Sequence, residues 1–183
     1  TAAHMAAHLV LRERRPDVSL GLVLPGPFAR HTARATERAA ERAVERVAFE
    51  RLVERIRSGP PRLLRLVDGP FNLVEFFVHL EDVRRATDGW EPRTGLDDLQ
   101  DALWPFQKSG TKLRTRRVRD VELWISRPGG EPVAVRNGGR RVTAIGDPGE
   151  LTMFFFGRRE QSHVELTGDP DGIAEVRSAP IGF

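Results

Sequence analysis

Glu75 and His79 stand four residues apart in the segment 71–85, FNLVEFFVHLEDVRR. On a helix of 3.6 residues per turn this spacing puts a carboxylate and an imidazole above one another on one face, where they can hold one ion. An isolated E-x-x-x-H pair also has a bland reading, in which the two groups hydrogen-bond each other or border the buried stripe. His8 is the reason to go further. It lies in a helix-like opening segment, TAAHMAAHLVLRERR, where Met5, Leu9 and Val10 would line a core face and a second imidazole could be brought to the same point. Two histidines and a glutamate form a three-ligand set that leaves one metal coordination position open, which suits catalysis better than structural support.

The elements that must carry these groups can be read from periodicity. The first helix is expected from about Thr1 to Arg14, stopped by Pro16. Gly21, Pro25, Gly26 and Pro27 then mark an irregular loop; His31, within it, reads as a solvated histidine or, alternatively, a fourth ligand. From Ala35 to Arg57 a four-residue repeat of Glu and Arg gives a solvated helix face, with Val44, Ala48, Leu52 and Ile56 as its buried stripe. Asp68 is placed to cap the helix that carries Glu75, with Pro70 in its first turn. Around Glu75 and His79 that helix is apolar almost all the way round, as expected inside a bundle. A fourth helix is expected from near Leu96, capped by Thr94 and bent at Pro105, with a basic end at Arg114, Arg116 and Arg117.

Beyond Arg119 the period changes from 3.6 to 2. Val121, Leu123 and Ile125 alternate with Glu122 and Trp124, followed by Val133 and Val135, then Val142 and Ala144. R-P-G-G-E-P and N-G-G-R read as the turns between these strands. A short helix, GELTMFFFG, a strand, HVELTG, and a last helix from about Pro170 to Arg177 complete a β-β-β-α-β-α order. That order suggests a small antiparallel sheet with its helices on one face. The fold expected is therefore α+β, with a helical bundle at 1–118 and a small α+β domain at 119–183.

The 183 residues, 39% of them apolar, are enough for a real core. No apolar run approaches the roughly 18 residues that span a bilayer, and no signal peptide is visible, so the expectation is a cytoplasmic protein without a membrane partner. Basic residues exceed acidic ones by only three, and the two are interleaved, which is a weak case for nucleic acid. Lysine occurs only at 108 and 112, an arginine bias that fits a high-GC genome. With no cysteine, the chain has no thiol nucleophile of its own, and any sulfur chemistry must be imported on a small thiol.

Three stretches together carry a resemblance: A-A-H-L-V-L-R-E-R-R-P at 6–16, V-E-F-F-V-H-L-E-D-V-R-R at 74–85 and G-E-L-T-M-F-F-F-G-R at 149–158. In combination they resemble an actinobacterial family of the mycothiol-dependent maleylpyruvate isomerase type, whose N-terminal part belongs to the DinB-like metal-binding bundles. The similarity runs along the whole chain in order. It implies that His8, Glu75 and His79 are ligands of a divalent metal, usually zinc, with water completing the shell. His4 departs from the family, which usually has an acidic residue there, and reads as a surface or supporting group. The family normally has a further helix before the first one here, so a segment upstream of Thr1 is expected.

A bound divalent ion would lower the pKa of a coordinated thiol or water. The function expected is thus a metal-dependent, mycothiol-dependent thiol transferase or isomerase acting on a small electrophile. Its partners would be a low-molecular-weight thiol and that substrate, and self-association into a homodimer stays open. Arg12, Arg84 and Arg85 are candidates for gripping carboxylates of cofactor or substrate, although a solvated helix end explains them equally. Asp82, three residues from His79, could orient a ligand imidazole or pair with Arg85. Arg158 and Arg159 could face an anionic substrate or cap the preceding helix, and His163 reads as structural or exposed. The competing reading is a non-catalytic metal-binding or regulatory module of the same fold.

Overall fold

The structure, a computed structural model, describes residues 6–7, 9–10, 34–35, 37–39, 46–58 and 65–182. It divides into two compact units, Thr1–Asn72 and Leu73–Phe183. In the first unit, helix α1 (Arg46–Arg57) buries Leu52 in a cluster with Ala6, Ala7 and Val10, and Phe49 and Ile56 pack at its edge. Leu52 and Ile56 are four apart, so one stripe of α1 meets this core while Arg51, Glu54, Arg55 and Arg57 stay exposed.

Helix α2 (Arg65–Arg84) begins before Asp68, which therefore falls inside it instead of capping it, and Pro70 lies beyond its first turn. Helix α3 (Asp97–Arg114) has Leu96 at its N-cap with no side-chain cap bond, so Thr94 does not have the expected role, and Pro105 lies within it. Strands β1 (Val121–Ser126), β2 (Val133–Arg136) and β3 (Arg140–Ile145) follow, then helix α4 (Pro148–Phe155). A single 3-10 turn at Arg159–Gln161, strand β4 (Glu165–Gly168) and helix α5 (Pro170–Ser178) complete the order. Pro170 fits the first turn of α5, where its missing N–H costs nothing, and the Asp169 carboxylate accepts from the Gly172 N–H at 2.8 Å.

The four strands form one sheet in the order β2-β1-β3-β4. β1 is antiparallel to β2 but parallel to β3, and β3 is antiparallel to β4. The sheet is therefore mixed, which corrects the expectation of an antiparallel one. The reason lies in N-G-G-R, which does not close a hairpin. Residues 137–139 carry the chain from β2 across the start of β1 to its far side, a gap of two strand spacings, about 9.5 Å, which four Cα steps of about 3.3–3.6 Å can span. The crossing is so close that a Cβ on Gly138 would lie 2.1 Å from the Val121 carbonyl carbon. Asp120 receives it: its carbonyl accepts from the Arg140 N–H and its carboxylate from the Gly139 N–H, both at 3.0 Å.

Alternate residues of the two central strands, Val121, Leu123 and Ile125 on β1 and Val142 and Ala144 on β3, are fully buried beneath Leu151 and Phe155 of α4 and Val176 of α5. Each large apolar side chain buried here contributes about 1.5–3 kcal/mol. A neighbouring core joins Val74, Phe77 and Val78 of α2 to Leu103 of α3 and Met153 of α4. The expected DinB-like N-terminal bundle is not evident among the described residues. Helix α3, assigned to that bundle by periodicity, packs instead on α4 and β2 of the second unit. Amphipathic spacing specifies that a helix has a face to bury, not the partner it is buried against.

Candidate functional site

Within the second unit, the last three turns of α2 present distinct stripes. Val74, Phe77, Val78, Glu81 and Arg85 are buried; Glu75, His79 and Asp82 are half-buried; Leu80 and Val83 are about half exposed. The helix is held against the start of α4 closely enough that a Cβ on Gly149 would come within 2.8 Å of Phe77 Cζ. The Gly149 N–H, one of the orphan donors at that helix start, donates to Gln100 Oε1 of α3 at 2.7 Å. This packing fixes the two polar stripes.

The half-buried stripe carries the residues singled out by spacing. His79 Nε2 lies 3.9 Å from Glu75 Oε1, and His79 Nδ1 lies 3.6 Å from Asp82 Oδ2. Both separations exceed a hydrogen bond and fall within ion-pair range. Asp82 is in turn gripped by Arg158, Nε to Oδ1 at 2.9 Å and Nη2 to Oδ2 at 2.8 Å. Burial opposes ionisation of Asp82, but His79 and the Arg158 fork outweigh it and bring its pKa from 3.8 down to about 2. Asp82 thus faces His79, one of the two partners open to it in the sequence, and not Arg85. Arg158 also donates through Nη1 to the Phe156 carbonyl at 2.7 Å, and Arg159 donates to the carbonyls of Val176 and Ala179.

The buried stripe forms a second network that spacing did not single out. Arg85 meets Glu150 with two bonds, Nη1 to Oε2 at 2.9 Å and Nη2 to Oε1 at 2.5 Å, and donates through Nε to Glu81 at 2.8 Å and through Nη1 to the Gln161 carbonyl. Glu81 also accepts both oxygens' worth of contact from Arg84 at 3.0 Å and pairs with Arg93 at 2.9 Å. Burial again opposes the Glu81 charge, and the bonds from Arg85 and Arg84 overcome it, so the carboxyl sits below its ordinary range. The Trp90 ring lies 4.4 Å from the Arg85 guanidinium carbon and 5.2 Å from the His163 ring. His163 itself donates its backbone N–H to Glu150 at 2.8 Å. Arg84 and Arg85, read as carboxylate grips, are engaged with the protein's own carboxylates. The i,i+4 spacing of Glu81 and Arg85 was visible in the sequence, but nothing there marked Glu150 as their third member.

His8 and Arg12, with His4 and His31, lie outside the described residues. Among the described residues no three His, Asp or Glu side chains converge as a metal-binding group. Metal bonds of about 2.1 Å at a tetrahedral angle set neighbouring donors about 3.4 Å apart; Glu75 Oε1 and His79 Nε2 stand somewhat wider, at 3.9 Å. No helix among the described residues is long and apolar enough to cross a membrane. Comparison with protein-family models, with curated proteins and with solved structures found no match to this chain.

Proposed function

We propose that the chain is a metal-dependent thiol transferase or isomerase, acting with a small thiol such as mycothiol on a small electrophilic substrate. The observation that carries this reading is His79 held between two carboxylates, Glu75 on its Nε2 side and Asp82 on its Nδ1 side. A carboxylate beside one ring nitrogen orients an imidazole and raises its basicity, leaving the other nitrogen to coordinate. Arg158 fixes that orienting carboxylate from a separate segment. Glu75 and His79 would then be two donors to a divalent ion, and the resemblance assigns the third to His8. Such an ion, when bound, makes a thiolate available near neutral pH. Because the chain has no cysteine, the thiol must come from solution.

The test is metal content of the full chain after purification and zinc reconstitution, measured with His79→Ala and His8→Ala alongside. Near-stoichiometric metal lost in both variants, together with thiol-dependent consumption of an electrophile, is the expected result. A wild-type chain that retains no metal overturns the reading.

One observation favours a second reading. Glu75, His79, Asp82 and Arg158 already neighbour one another as a continuous chain of polar groups. If that chain is purely structural, the protein is a non-catalytic binding or regulatory module. Loss of stability in His79→Ala with no metal bound by wild type would select it.

A further inference from the structure

Charge is spread evenly along most of the chain, but not between Pro105 and Arg119. That segment holds six basic residues and no acidic one, against a net charge of +3 for the whole chain, so everything outside it sums to −3. Arg114 turns inward and is only 8% exposed, its guanidinium carbon 4.2 Å from the centre of the Phe156 ring. The other five, Lys108, Lys112, Arg116, Arg117 and Arg119, are exposed, and none of them forms an ion pair with a described residue. Lys108 and Lys112 are four apart on α3, and Arg116 is four further on in the turn that continues it. The three therefore share one side at steps of about 6 Å along the axis.

A basic helix end usually answers the helix dipole. Here protein groups already meet the last carbonyls: the Gly182 N–H donates to Arg114 at 3.3 Å and Arg136 Nη1 to Thr115 at 2.9 Å, while Arg136 Nη2 donates to Val118. The Val118 side chain is buried in the core beneath the sheet, and the Arg119 N–H donates to Glu175 Oε1 of α5 at 2.9 Å. The turn bearing the three arginines is thus fixed before any partner arrives, which lowers the ordering cost of binding. It walls a surface cleft of about 650 Å³ faced by Ser178, Ala179 and Pro180, with Glu175 as its carboxylate among the described residues. Three guanidiniums against one carboxylate leave the cleft positive and raise the local concentration of polyanions.

We infer that Lys108, Lys112, Arg116, Arg117 and Arg119 bind nucleic acid through its phosphodiester backbone, without reading bases and independently of the Glu75–His79 face. From Lys108 to Arg116 the row covers about 12 Å, a length of duplex that carries about seven phosphates. Guanidiniums take phosphate oxygens with paired hydrogen bonds. An acidic protein partner would need apolar anchors at the centre of the contact, and a bilayer would need an apolar face to insert. Leu113 is the one large apolar side chain exposed on this segment. A regularly charged polymer needs neither. The interleaving of charges that weakens the case for nucleic acid over the whole chain does not extend to these residues.

The experiment is fluorescence anisotropy of a labelled DNA duplex of about 20 base pairs titrated with the full chain over a range of NaCl concentrations. Saturable binding is expected, with log Kd rising linearly in log salt at a slope of about 3–5, as for four or five neutralised phosphates. The triple variant Arg116→Gln, Arg117→Gln, Arg119→Gln should bind at least about tenfold more weakly near 100 mM salt and lower the slope by about 2–3. The pair Lys108→Gln, Lys112→Gln should lower it by about 1–2 and carries the test if the triple variant does not fold. A charge-matched control, Arg51→Gln, Arg55→Gln, Arg57→Gln on the exposed side of α1, should stay within about twofold, as should a duplex of unrelated sequence. Lack of saturable binding at low salt, equal losses in the control and the triple variant, or marked dependence on duplex sequence overturns the inference. So does binding to polyglutamate or to phosphatidylserine vesicles in preference to the duplex.

Discussion

Arg158 holds Asp82 through a two-bond fork, 2.9 Å at Nε and 2.8 Å at Nη2, across 76 positions of sequence. The contact ties the last turn of α2 to the segment after α4 and sets the carboxylate that faces His79. Arg158→Ala should lower stability by about 1–2 kcal/mol, more than an ordinary surface pair, because the fork is bidentate and its carboxylate is mostly buried. Denaturant midpoints of Arg158→Ala, Asp82→Asn and the double variant should show coupling, and the His79 imidazole resonances should move in each. Additive effects with an unmoved imidazole would contradict the arrangement.

Glu150→Gln should cost far more. It leaves Arg85 buried with one carboxylate partner in place of two, and breaking a buried pair typically costs about 3–5 kcal/mol. The solvent-facing pair Arg127–Asp101 supplies the control, since Asp101→Asn should change stability by at most about 1 kcal/mol. Equal effects of the two variants in urea unfolding would mean that the Arg85 network is not the anchor its burial suggests.

Acid should act through Asp82. Its folded pKa, about 2, is below its ordinary 3.8, so as pH falls the unfolded chain takes up this proton first. The stability it contributes is complete above about pH 4 and is lost as pH falls toward 2. In Asp82→Asn the unfolding free energy should be less steep over that window and lower above it. A pH profile parallel to that of wild type would remove Asp82 as a contributor.

Gly138→Ala tests the crossover. Its Cβ would stand 2.1 Å from Val121 backbone, so β2 and β3 could not keep their places on either side of β1 without displacement. A loss of more than about 2 kcal/mol is expected. Gly130→Ala, whose Cβ would meet nothing closer than 3.4 Å, should stay within about 1 kcal/mol. Circular dichroism melts of both variants make the comparison.

The stripe bearing Glu75, His79 and Asp82 was legible because helical spacing alone places positions i, i+4 and i+7 together. The hold of Arg158 on Asp82 was not, since no local pattern links residues so far apart. The strands were visible as alternation at Val121, Leu123 and Ile125 and again at Val142 and Ala144, but their order was hidden. Asn137-Gly138-Gly139 satisfies the chemistry of a hairpin turn as well as that of a crossover, and only the approach to Val121 separates the two. Helix α3 was read as a bundle helix because amphipathicity is blind to what covers the apolar face. Arg114 passed as a favourable basic helix end, for burial of a cation leaves no trace in spacing. His8 and Arg12 lie outside the described residues; the resemblance assigns His8 to the metal, and Arg12 is a candidate carboxylate grip from its guanidinium alone.

The same crossover that puts β1 in the middle leaves β2 and β4 at the margins, each only four residues long. Pro132 precedes one, and the other ends at Gly168, shortly before Pro170. Short, proline-bounded margins offer few open amides to a foreign strand, while the longer, more deeply buried β1 and β3 are shielded between them. Such a sheet is poorly suited to seed stacking of one molecule on the next, and protection against fibril growth is built into the order of its strands.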